Sequence, residues 1–134
     1  MSTTGDRLPP IGYARRPAMV RERLDGRTLL VSTPSNIRWL TGFGGSLGWV
    51  VIGPDIFVLI TDRRYGERAA AGIAAAGVDA AVLVGGRPEM RGHIVAAAGG
   101  RGTVLAEADD LTYAAWTDLA ADLALEPDEA TISG

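Results

Sequence analysis

The sequence predicts an α/β fold, a three-layer sandwich in which a mixed β-sheet carries helices on both faces. Three observations predict it. Short apolar runs such as Thr28–Ser32 and Ala80–Val84 alternate with helical stretches of about 10–15 residues, the spacing of strand–helix–strand units. One hairpin interrupts the alternation: Gly53-Pro54-Asp55 separates Trp49–Ile52 from Ile56–Thr61 and puts an antiparallel pair mid-sheet. An apolar content of 47% and a mean hydropathy of +0.14 over 134 residues supply the core of one domain.

Each element has a local cause. Met1–Gly12 is polar with Pro9-Pro10, and residues 1–14 are expected to be a flexible N-terminal segment. Arg16–Leu24 reads as a helix with Pro17 in its first turn, Val20 and Leu24 on one face, and Asp25-Gly26 ending it. Thr28–Ser32 is a short buried strand. Pro34 opens a short helical turn, Ile37 and Leu40 share one face of it, and Thr41-Gly42 stops it. The loop Gly42–Gly48 holds four glycines, which lets another surface approach its backbone closely. After the hairpin, Asp62 is expected to cap a helix from Arg63 to Ala76, with Tyr65, Ala69, Ile73 and Ala76 near one face and Gly77 as its stop. Ala80–Val84 reads as a buried strand and Pro88–Ala98 as a helix with Met90, Ile94 and Ala98 aligned. Thr103–Glu107 is a further strand. Asp109 or Asp110 is expected to cap a helix over Leu111–Leu123, where Trp116, Leu119, Ala120 and Leu123 fall at helical spacing. Residues 15–125 thus form the domain, and 126–134 read as the start of a linker. The helical turn, the glycine loop and the start at Asp62 are expected along one sheet edge, where function is sought.

Composition excludes several chemistries. Without cysteine there is no disulfide, thiolate nucleophile or zinc ribbon. All 13 basic residues are arginine, which removes a Schiff-base or P-loop lysine. His93 is the only histidine and reads as a partly exposed structural residue in its helix. The net charge of −3 is unevenly spread: Arg7 to Arg27 hold six arginines, and Glu107–Gly134 hold eight acids and no base. The basic stretch has no interleaved aromatic platforms, so it reads as a solvated helix face and no nucleic-acid partner is expected. No apolar run approaches the roughly 18–20 residues of a membrane span, and a cytoplasmic protein with no membrane partner is expected.

Two motifs compete at the glycine loop. Gly44-Gly45-Ser46-Leu47-Gly48 matches G-x-S-x-G, and Ser46 with His93 would make a small serine esterase. That elbow needs a strand before the serine and a helix after it, whereas a helical turn precedes and a strand follows. Gly42, Gly44 and Gly48 also suggest a small-anion or nucleotide-binding loop, again without the strand–loop–helix order. Asp109 and Asp110 are explained by a helix start, and Trp116 by core packing. The residues least explained by packing are Asn36, Arg38, Trp39, Phe43, Ser46, Trp49, Asp62, Arg64 and Tyr65. Asn36 and Asp62 also suit turn and cap roles. An arginine at position 64, in a helix's first turn, opposes the macrodipole and calls for a nearby carboxylate or anion.

Three segments, in order, carry a family resemblance. Ser32-Thr33-Pro34-Ser35-Asn36-Ile37-Arg38-Trp39-Leu40-Thr41-Gly42-Phe43 resembles the T-S-P-x-N-[IV]-R-Y-L-[TS]-G-F segment of the creatinase/prolidase amino-terminal domain. Thr61-Asp62-Arg63-Arg64-Tyr65 resembles its T-D-G-R-Y, and Glu107-Ala108-Asp109-Asp110-Leu111-Thr112-Tyr113 its E-x-x-x-[LM]-[TS]-Y. Arg63 departs from the usual glycine and Trp39 from the usual tyrosine. The resemblance implies the amino-terminal domain of M24 metallopeptidases (Xaa-Pro aminopeptidases, Xaa-Pro dipeptidases or prolidases, and creatinase), with a ribonuclease H-like motif in its fold. It implies chemistry in a separate carboxy-terminal pita-bread domain, usually around a divalent metal pair (Mn, Zn or Co), with no cofactor in this chain. It implies a non-catalytic domain that walls the cleft for a proline-containing peptide and contributes to a homo-oligomer. In that setting the glycine loop, Phe43 and Trp49 face a catalytic domain, and Arg64 holds a carboxylate of substrate or partner.

Overall fold

The computed structural model describes residues 13–45 and 47–132. A 3₁₀ turn, Tyr13–Arg15, leads into α1 (Arg16–Leu24). There follow β1 (Thr28–Val31), α2 (Pro34–Thr41), β2 (Gly48–Gly53), β3 (Ile56–Thr61), α3 (Gly66–Ala76), β4 (Ala81–Val84), α4 (Arg87–Ala98), β5 (Thr103–Ala106), α5 (Tyr113–Ala120) and β6 (Ala124–Pro127). The six strands form one sheet in the order β4-β3-β2-β1-β5-β6. Strand β2 runs antiparallel to both neighbours, and every other pair is parallel. Among the described residues no helix is long and apolar enough to cross a membrane.

Strand periodicity sorts the core into two layers. Leu29 and Val31 of β1, Val50 and Ile52 of β2, and Phe57 and Leu59 of β3 face one side. There they meet Val20 and Leu24 of α1, Ile37 and Leu40 of α2, and Ala69 and Ile73 of α3. The alternate residues Leu30, Val51, Ile60 and Val104 face Met90, Ile94 and Ala98 of α4 and Leu119 of α5. The β1–β2 register pairs Leu29 with Ile52, Leu30 with Val51 and Val31 with Val50, so partners across the ladder share a layer. A slip of one residue would send each side chain to the wrong side.

The arginines of α1 have structural employment. Arg21 donates through Nε to the carbonyl of Gly53 at 2.6 Å and through Nη2 to that of Ile56 at 3.2 Å, clamping the helix to the hairpin turn. Arg16 donates to the Trp39 carbonyl at 2.6 Å, and Arg23 to that of Thr131 at 2.8 Å.

Four expectations are corrected. Helix α3 begins at Gly66 rather than Arg63, because Asp62–Tyr65 form a turn closed by Tyr65 N–H donating to the Asp62 carbonyl at 3.1 Å. Strand β4 is an edge strand and only half-buried, since an apolar run does not reveal its place in a sheet. Helix α5 begins at Tyr113, capped by Thr112 rather than by an aspartate, its Oγ1 accepting from Ala115 N–H at 3.1 Å. The turn after Glu107 uses the aspartates first, with Asp110 and Leu111 N–H both donating to the Glu107 carbonyl. Finally, β6 is an edge strand that the sequence does not announce: it pairs only with β5 and is largely exposed, which also accommodates Pro127.

Candidate functional site

Because β2 is reversed, its start lies beside the ends of its neighbours: Gly48 pairs with Thr61 and Val50 with Val31, and β5 ends alongside β1, Ala106 with Leu30. The segment Ser32–Asn36, the glycine loop, the Asp62–Tyr65 turn and Glu107 therefore occupy one edge of the sheet. That is the side, past the carboxyl ends of parallel strands, where ligands bind in α/β folds.

Glu107 organises the edge; from sequence it is expected at a strand end and at the head of the third family-like segment, without a role at the site. It is 7% exposed. Its Oε1 accepts from the N–H groups of Ser32 and Thr33, each at 2.8 Å, and Oε2 accepts from Asn36 Nδ2 at 2.6 Å. The carboxylate thus sits against the first turn of α2, whose N-cap Thr33 makes no side-chain cap bond of its own. Asn36 is accordingly tied to a residue 71 positions away. The signals in the sequence were an acid at the end of an apolar strand and its place at the head of the third family-like segment.

The glycine loop is fixed by its neighbours. Gly42 closes α2 in the left-handed region at φ 81°, its N–H donating to the Arg38 carbonyl at 2.8 Å. Thr41 Oγ1 donates to the Ile37 carbonyl at 2.7 Å and accepts from Phe43 N–H at 3.0 Å, turning Phe43 inward. The buried Phe43 ring meets Tyr65 edge-on, centroids 6.0 Å apart. Gly45 lies on that ring: a Cβ there would stand 2.8 Å from both Cε atoms and closer still to Cζ. At the far end, Thr61 Oγ1 donates to the Leu47 carbonyl.

The remaining expected residues divide. Arg64 finds its carboxylate within its own turn. Its N–H donates to Asp62 Oδ1 at 3.0 Å, and its Nε and Nη2 reach Asp62 Oδ2 at 3.0 and 2.7 Å. This pairing, led by the side-chain hydrogen bonds, holds the Asp62 carboxyl below its ordinary value and raises Arg64 above its own. The guanidinium groups of Arg64 and Arg68 lie 5.3 and 5.4 Å from the Tyr65 ring centre. Arg38 is exposed, lies beside Gly44 (its Nε 3.5 Å from where a Cβ would stand), and makes no ion pair or side-chain hydrogen bond among the described residues. Trp39 is drawn away from this group, its ring 4.9 Å from the Arg16 guanidinium on the α1 side. Trp49 lines a small cavity of about 120 Å³ with Ser32, Gly45 and Asp110. Ser46 lies outside the described residues.

The surroundings of the loop decide which chemistry fits. Helix α2 precedes it and strand β2 follows, the reverse of a nucleophile elbow, and no helix begins at its end to receive a phosphate. His93 Nε2 is engaged 3.1 Å from the Val84 carbonyl oxygen. Among the described residues no group of three or more His, Cys, Asp or Glu side chains is placed to hold a metal ion.

Comparison with known proteins gives a consistent picture. Residues 15–133 match the Creatinase/Prolidase N-terminal domain family. The fold is similar to that of an Xaa-Pro dipeptidase from Bacillus anthracis, with a TM-score of 0.79 at 19% identity, covering 90% of this chain and 34% of that one. It is also similar to the N-terminal domain of the cytoplasmic peptidase PepQ from Mycobacterium tuberculosis H37Rv, with a TM-score of 0.75 at 25% identity, covering 88% of this chain and 95% of that one. In sequence, a stretch of 46 residues is 46% identical to the uncharacterized peptidase YqhT of Bacillus subtilis strain 168, which is 34% of this chain and 12% of that protein. The chain thus spans a minor part of the longer relatives it matches. With its mixed sheet, two helical layers and three motifs, the chain belongs to the Creatinase/Prolidase N-terminal domain family.

Proposed function

We propose that this domain is the non-catalytic amino-terminal part of an M24-type metallopeptidase of Xaa-Pro aminopeptidase or dipeptidase type. Its glycine-loop edge walls the substrate cleft of a separate pita-bread catalytic domain, and its surface contributes to a homo-oligomer. The divalent metal pair and the bond-breaking steps belong to that catalytic domain. A cytoplasmic location accompanies this function and is supported by the description of the Mycobacterium tuberculosis relative.

The observation that carries the proposal is Arg38. Arg64 is already neutralised by Asp62, whereas Arg38 offers an exposed guanidinium with no partner among the described residues, beside a loop whose glycines admit a facing surface. Arg38 is suited to hold a carboxylate of the proline-containing substrate or of the facing domain. Steady-state kinetics of the parent protein on an Ala-Pro substrate test this. Arg38→Ala is expected to raise KM about tenfold with kcat nearly unchanged, the loss of one charge-assisted contact. Unchanged kinetics in Arg38→Ala, with Arg64→Ala more harmful, would remove the assignment.

A further inference from the structure

A larger cavity of about 520 Å³ opens between α4 and α5, and Arg38 is not among the residues that line it. Its apolar walls are Leu47, Trp49, Met90, Ile94 and Leu119, and Arg87, Arg91 and Asp118 supply its polar groups. The volume falls within the roughly 300–1,000 Å³ usual for small-ligand sites. Its two cations differ. Arg91 is committed: Nε donates to Asp118 Oδ2 at 2.7 Å, and Nη2 to the Asp118 carbonyl at 2.8 Å and to Asp122 Oδ2 at 2.9 Å. Arg87, on the first residue of α4, makes no ion pair or side-chain hydrogen bond among the described residues. An unneutralised guanidinium beside an apolar cavity complements a carboxylate carried on an apolar body. Asp118 uses Oδ2 for Arg91, which leaves Oδ1 to accept an N–H.

We propose that this cleft is a second binding site that takes the free C-terminal end of a short apolar peptide. The apolar side chain packs against Trp49, Ile94 and Leu119, the α-carboxylate meets Arg87, and the peptide N–H meets Asp118. The site shares Leu47 and Trp49 with the glycine-loop edge, while its charged groups, Arg87 and Asp118, belong to α4 and α5.

Isothermal titration of the 134-residue chain with N-acetyl-Leu-Phe, its C-terminal amide and 4-phenylbutyrate tests it. The acid is expected to bind about tenfold more tightly than either comparator. Arg87→Gln should erase the acid–amide difference, and Ala115→Trp, which fills the cavity, should abolish binding. Amide-resonance mapping on the unsubstituted chain covers the case in which Ala115→Trp does not fold: shifts should cluster at residues 47–49, 87–94 and 115–119. Equal binding of acid and amide, equal binding of 4-phenylbutyrate, shifts centred elsewhere, or no binding at millimolar peptide would each overturn the proposal.

Discussion

A carboxylate withdrawn from water is tolerated only where donors replace its hydration, and Glu107 meets three of them. Removing it strands two backbone N–H groups and one side-chain amide at a buried junction. Glu107→Ala is therefore expected to lower stability by about 3 kcal/mol in urea unfolding, and Glu107→Gln by about half that, because the amide oxygen still accepts. An equally stable Glu107→Ala protein would show that the clasp contributes nothing. The Asp62–Arg64 pair makes a pH prediction with a definite sign. The folded-state value of Asp62 is depressed, so its contribution is complete above the ordinary carboxylate value of 3.8 and is lost as pH falls through the lower folded value. A side-chain titration should place Asp62 below 3.8, and Arg64→Ala should return it toward the ordinary range. At this scale the sequence was partly legible. Ile37 and Leu40 announce a buried helix face by their spacing, but no local pattern reveals that Asn36 is held by a carboxylate 71 residues on.

Among the elements, the glycine loop shows most clearly how packing selects a sequence. Phe43 is turned inward by Thr41, and the Gly45 backbone then passes over its ring with no room for a Cβ. Gly45→Ala must displace a buried ring, and a loss of about 1–3 kcal/mol in thermal or urea unfolding is expected. A neutral effect would mean that the loop does not rest on Phe43. The helices and most strands could be read from periodicity, because amphipathic spacing is a local property. What could not be read depends on neighbours. The place of β4 at an edge, the pairing of the exposed segment Ala124–Pro127 with β5, and the delay of α5 to Tyr113 follow from what lies alongside. The arginines of α1 show the same limit: their charge suggested a solvated face, yet Arg21 bridges to carbonyls in the hairpin.

Over the whole molecule, the reversal of one strand brings the functional segments together. With β2 antiparallel, the glycine loop opens at the same edge as the ends of β1, β3 and β5, so one surface carries Arg38, the Asp62–Tyr65 turn and the Glu107 junction. The hairpin signal at Gly53-Pro54-Asp55 made that reversal legible, and the three motifs made the family legible. The exposed guanidinium of Arg38 on that edge is what the proposed cleft-wall role draws on. The most direct measurement assays the purified 134-residue chain on an Xaa-Pro dipeptide with Mn²⁺, Zn²⁺ or Co²⁺ supplied, beside its parent containing the pita-bread domain. No hydrolysis above buffer by the chain alone and metal-dependent hydrolysis by the parent are expected; turnover by the chain alone, or a parent inactive with every metal, would contradict the proposed division of labour.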